Sequence, residues 1–121
     1  MWRLPLALIA MTTACSSATQ PESEDVLSVR VDGADLVITN RASGEIVALA
    51  LLAKHLPGAN WTLCSGGPAC IGHPSATSWR QPIPRYDYVR GDEVVVIWNL
   101  LAPLPGGNRQ FLRSGRTSIR P

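Results

Sequence analysis

Three cysteines and two histidines are the residues of this chain with the widest chemical repertoire. Cys64 and Cys70 enclose Ser65-Gly66-Gly67-Pro68-Ala69. Thiol–disulfide exchange uses the shorter C-x-x-C spacing. In an oxidising compartment this pair is instead expected to close as a structural disulfide. Closing a loop of about seven residues contributes about 2 kcal/mol through chain entropy. Cys70-Ile71-Gly72-His73 raises the question of a metal, because copper sites combine Cys, His and Met. The only methionines are Met1 and Met11, and His55 lies far from the pattern. No metal and no cofactor is expected. For hydrolysis, no G-x-S-x-G supplies a nucleophile. Nothing in the spacing of the two histidines and nine carboxylates picks out a triad or a carboxylate pair. Gly106-Gly107 reads as a turn, not a phosphate loop. The chain is therefore not expected to be an enzyme.

The third cysteine, Cys15, sits in a different context. Met1-Trp2-Arg3 carries one positive charge, Leu4 to Met11 is apolar, and Thr12-Thr13-Ala14 is small and uncharged. The apolar run is too short to span a bilayer, which takes about 20 residues. Its charged–apolar–small order is that of a secretory signal. Behind Cys15, Ser16 to Asp25 is polar and acidic, a stretch that suits a flexible tether. Here the chain resembles the lipobox of bacterial lipoproteins, with Ala14 before the cysteine and Thr12 where that family carries Leu. The resemblance implies that residues 1–14 are removed as a signal peptide and that Cys15 is acylated. It also implies that 15–25 tether the domain 26–121 to a membrane. Ser16 in place of Asp implies the outer membrane over the inner one. Cleavage after Ala18 without a lipid is the alternative. Both routes leave Cys64 and Cys70 as an even pair. The Asn60-Trp61-Thr62 sequon would go unused in such a protein.

A chain of 121 residues, 45% hydrophobic and 17% charged, fits one globular domain. The net charge of +2 drops to +1 when Arg3 leaves with the signal. The arginines are scattered singly from Arg3 to Arg120, without the basic stripe of a nucleic-acid binder. No nucleic-acid partner is expected.

The elements that must hold these residues read as strands. Leu27, Val29 and Val31 alternate with polar residues, Asp32-Gly33 is a hairpin turn, and Leu36 to Thr39 returns. Asn40 to Gly44 turns again. Glu45 to Leu52 is a third strand or a short helix, since Ala and Leu favour helix while length and flanking turns favour strand. Lys54 to Gly72 is loop-rich, with a short strand possible at Trp61-Thr62-Leu63. Ser78 to Ile83 is limited by Pro82 and Pro84 to an edge or a strand end. Glu93 to Leu101 is the strongest strand, and Gln110 to Ile119 closes the chain with a bulge expected at Ser114-Gly115. The spacing predicts an all-β, about seven-stranded antiparallel sandwich of immunoglobulin-like type.

The body resembles the small immunoglobulin-like domains of bacterial lipoproteins in its strand order, in Asn40 after the second strand and in the Trp61, Cys64 and Cys70 block. The segment Tyr86-Asp87-Tyr88 resembles the corner where a Tyr hydroxyl bonds back to the backbone. No function comes with that resemblance. The third and sixth strands, Ile46 to Leu52 and Val94 to Trp98, are apolar on both faces and should lie side by side. Ile46, Ala48, Ala50 and Leu52 are then the candidate interaction surface for a protein partner. Alternatively the tether, the Lys54–Pro84 segment or a second copy covers that face. The expectation is a non-enzymatic envelope lipoprotein that acts as a binding or assembly module. The alternative is a protease-inhibitor-like domain on the same fold, although the loop motifs of the chagasin-like family are missing.

Overall fold

The computed structural model describes residues 25–58, 63–64, 66–67 and 70–121. The signal segment, Cys15, the tether up to Glu24, and Asn60, Trp61 and Thr62 lie outside the described residues.

The described chain forms β1 (Leu27–Asp32), β2 (Asp35–Asn40), β3 (Glu45–Leu52), β4 (Ser78–Pro82), β5 (Val94–Pro103) and β6 (Arg109–Ile119). They make two three-stranded antiparallel sheets, β1-β2-β4 and β3-β5-β6. The fold is an all-β sandwich, with six strands among the described residues in place of seven. The seventh expected strand falls mostly outside those residues, and Leu63 belongs to no strand.

Each turn follows from local chemistry. Gly33, at φ 65, and Ala34 join β1 to β2 in the two-residue loop that Asp32-Gly33 predicts. β3 is a strand despite its helix-forming composition, because it pairs with β5 from Glu45–Leu101 to Leu52–Val94. A ladder of that length overrides a propensity of a few tenths of a kcal/mol per residue. β4 ends at Pro82 and lies at a sheet edge, where a missing N–H is tolerated.

Leu27, Leu36 and Ile38 from one sheet meet Ile46, Leu52, Val94, Val96 and Trp98 from the other in a single core. The bulge in the β5–β6 ladder falls between Leu100 and Leu101, where Arg113 and Phe111 are the partners and Leu112 is the extra residue. The expectation at Ser114-Gly115 is thereby corrected. Gly115 sits in register opposite Trp98, and a Cβ there would lie 2.5 Å from the indole Cζ2. A strand glycine marks either a bulge or a close approach, and here it makes room for the largest core side chain.

The sandwich has two ends. One carries the entry at Asp25, the turn after Asn40, the disulfide loop and the β5–β6 loop. The other carries the Gly33–Ala34 turn, a 3-10 turn over Ala53–Gly58, the β4–β5 loop and Pro121.

Candidate functional site

The proposed interaction row is the first feature the fold relocates. Ile46, Ala50 and Leu52 belong to the core, and Ala48 packs against it. Residues of one face recur with period two, so the outward row of β3 is Val47, Leu49 and Leu51, all half-buried. The reading was one residue out of phase because β3 is apolar at nearly every position, which leaves the inward face unmarked.

On β5 the outward partners of that row are Val95 and Ile97, each 3% exposed, and Asn99. Such burial on an outer face requires a cover. Leu63, Ile97, Asn99, Ser114 and Arg116 line a hollow of about 280 Å³, and Asn99 Nδ2 donates to the Cys64 carbonyl at 3.1 Å. Among the described residues of the segment after β3, Leu63 and Cys64 therefore lie over the second sheet, which is the covered alternative for that face.

The segment is pinned at three points. Cys64 and Cys70 form the expected disulfide, with Cα atoms 5.7 Å apart and Cys70 buried. Arg109 donates through Nε to Glu45 Oε1 at 3.0 Å and through Nη1 to the carbonyls of Gly67 (3.2 Å) and Gly107 (3.0 Å). One guanidinium thus ties the disulfide loop, the start of β3 and the β5–β6 loop together. At the third point, Asn40, fully buried, donates from Nδ2 to the carbonyls of Gly44 and His73, both at 2.9 Å, and accepts at Oδ1 from Ala42 N at 2.9 Å. These three bonds satisfy the buried amide and fix the β2–β3 turn against the loop entering β4.

His73 belongs to this framework. Its backbone exchanges hydrogen bonds with Ile46, and its ring stacks on Trp79 with centroids 3.7 Å apart and planes 2° apart. Burial pulls its pKa below the ordinary 6.5. With Cys70 oxidised, the Cys70–His73 pair offers no thiolate to a metal. Among the described residues no three His, Cys, Asp or Glu side chains gather in metal-binding range.

At the opposite end, Lys54 Nζ bonds Asp92 Oδ2 at 2.7 Å and the Asp87 carbonyl at 2.5 Å. The bond to Lys54 holds the Asp92 carboxyl below its usual range, and Asp92 raises Lys54 in turn. His55 Nε2 lies 3.3 Å from Asp87 Oδ2, beside the exposed ring of Tyr86. Tyr88 packs against the core. Neither tyrosine hydroxyl makes a hydrogen bond among the described residues. The corner is held instead by Tyr88 N to the Arg85 carbonyl at 3.1 Å and Val89 N to Asp92 Oδ2 at 2.8 Å. These contacts cross-brace loops, and among the described residues no serine, threonine or cysteine side chain is bonded to the His55–Asp87 pair.

Comparison with protein-family models, curated proteins and solved structures finds no match. Sequence reasoning missed Asn40 as a tie between loops, the Arg109 clamp and the His73–Trp79 stack. The first two depend on partners 33 and 64 residues away in the chain, and the stack joins residues from either side of the turn that enters β4.

Proposed function

We propose that this chain is a non-enzymatic binding or assembly module of the cell envelope. A lipid on Cys15 anchors it to a membrane, the outer one, and its domain has immunoglobulin-like topology. The order β1-β2-β4 and β3-β5-β6 supports the topology, because it is the immunoglobulin strand order with the fourth strand omitted. The charged–apolar–small order ending at Ala14-Cys15 supports the anchor. The observation that carries the binding role is where large apolar side chains remain in water. Ile71 and Tyr86 are 83% and 85% exposed, on loops at the two ends of a rigid scaffold. Loops held by a stable sandwich are where binding residues concentrate.

A second reading is a peptidase inhibitor. Arg109 joins the disulfide loop and the β5–β6 loop at one end, and Ile71 and Leu104 stand exposed there. Small inhibitors of this architecture present such paired loops to a protease cleft. Mass spectrometry of the membrane fraction tests the anchor, and a mature protein starting at Thr19 refutes it. Crosslinking in intact envelope followed by capture tests the binding role. A recovered protein partner that Tyr86→Ala or Ile71→Ala releases supports it, and a panel of peptidases inhibited in vitro supports the second reading instead.

A further inference from the structure

The β4–β5 loop sorts its charges. Asp92 is taken by Lys54 and by Val89 N, and Asp87 faces Lys54 and His55. The two arginines of the same loop go elsewhere. Arg85 and Arg90 line a hollow of about 310 Å³ together with Val31, Ile83, Tyr88 and Pro121. Among the described residues neither guanidinium has a hydrogen bond, an ion pair or a ring partner, although Asp87 and Asp92 are each two residues away in sequence. Arg120 Nη1 donates to the Gly91 carbonyl at 2.7 Å, which ties the chain after β6 to the turn that follows Arg90.

Two unpaired guanidiniums beside one concavity are matched by an oxyanion. The planar fork of Arg donates two parallel bonds to a carboxylate or phosphate. The floor has the other character. Ile83 is buried and Tyr88 is half-buried against the core, so the apolar base is held by the sandwich itself. Its volume is at the small end of ligand pockets, which run from about 300 to 1,000 Å³. An inorganic anion would leave that base wet, and an uncharged lipid would leave the arginines unanswered.

We propose that this hollow binds an anionic amphiphile, its phosphate or carboxylate between Arg85 and Arg90 and its chain on Val31, Ile83 and Pro121. The site lies at the end of the sandwich away from Asp25, because β1 runs the six residues of Leu27–Asp32 from the tether side to the Gly33–Ala34 turn. That is about 20 Å. The proposal goes beyond the binding-module reading and holds whether or not Cys15 is acylated.

Calorimetric titration of the purified protein with dodecyl phosphate, inorganic phosphate and dodecyl maltoside tests it. Dodecyl phosphate is expected to bind, with Arg85→Ala and Arg90→Ala each weakening it tenfold or more and leaving the melting temperature unchanged. Arg30→Ala, outside the hollow, is expected to leave affinity unchanged. Equal binding of the maltoside, equal binding of inorganic phosphate, or full affinity in the Arg85/Arg90 double variant overturns the proposal. Flotation with vesicles of anionic phospholipid then separates the sources. Flotation that the double variant loses assigns a membrane headgroup, and alkyl-phosphate binding without flotation assigns a free ligand.

Discussion

The outward rows of the first sheet run Ser28–Thr39–Ser78, Arg30–Val37–Arg80 and Asp32–Asp35–Pro82. Those of the second run Val47–Asn99–Ser114, Leu49–Ile97–Arg116 and Leu51–Val95–Ser118. On the first sheet Thr39 and Ser78 share a hydroxyl bond of 2.7 Å, and Arg80 bridges Asp32 and Asp35. Its one outward aliphatic, Val37, is 8% exposed between two arginines whose stems can shield it. That face meets water without help. The second sheet carries aliphatic side chains on its outside as well as its inside, and its central strand is buried on both faces. Leu63 and Cys64 supply cover over Ile97 and Asn99. A sheet that is polar on one face can end a fold, whereas a sheet that is apolar on both obliges the chain to add a cover.

The comparison has a decisive test on β3, where neighbouring residues belong to opposite faces. Ala50→Glu puts a carboxylate into the core, a cost of several kcal/mol that equals or exceeds the stability of a domain this size. It is expected to leave no cooperative thermal transition by circular dichroism. Leu49→Glu, on the outer face, is expected to fold with a lowered melting temperature. A folded Ala50→Glu protein with a native melting temperature would reverse the two faces.

The cover itself is expected to depend on its crosslink. Replacing Cys64 and Cys70 with Ser should lower stability by about 2 kcal/mol in urea melts. Because Cys64 also anchors Asn99 through its carbonyl, the second sheet should then bind an apolar fluorescent dye. An unchanged urea midpoint would separate the loop from the sheet it overlies.

A smaller effect follows from His73. Burial depresses its pKa in the folded state, so the unfolded chain takes up the proton first. Its contribution is fully present above pH 6.5 and falls as pH drops below that value toward the folded pKa. Asp25 and Asp92 are also depressed, but they titrate only below their ordinary 3.8. Between pH 7.5 and about pH 5 the melting temperature should therefore fall, by a few degrees at most. His73→Gln should flatten that slope, and a slope retained in the variant would assign it elsewhere.

The smallest effect is expected on the polar face. Arg80 and its two carboxylates are exposed, and ion pairs in water add little. Arg80→Ala should melt within error of the parent at physiological salt. A large loss there would show that the first sheet, too, relies on its outer layer.

Strand periodicity, turn residues and the even cysteine pair belong to the sequence alone, because each is a short-range rule. Period-two alternation marks β1, Gly33 marks a positive φ, and the even pair Cys64 and Cys70 marks a crosslink. Those rules reach an all-β sandwich. They stop at β3, where Ile46 to Leu52 offers no polar residue to tell one face from the other, and at Gly115, where the same missing Cβ could serve a bulge or an indole. The tertiary structure decided both. The ladder register with β5 turned Ile46, Ala50 and Leu52 inward, and Trp98 filled the space above Gly115. It also sent Asp87 and Asp92 toward Lys54 and His55 and left Arg85 and Arg90 beside a hollow. Pairing of that kind is a matter of distances between elements far apart in the chain, and only the packed sandwich sets them.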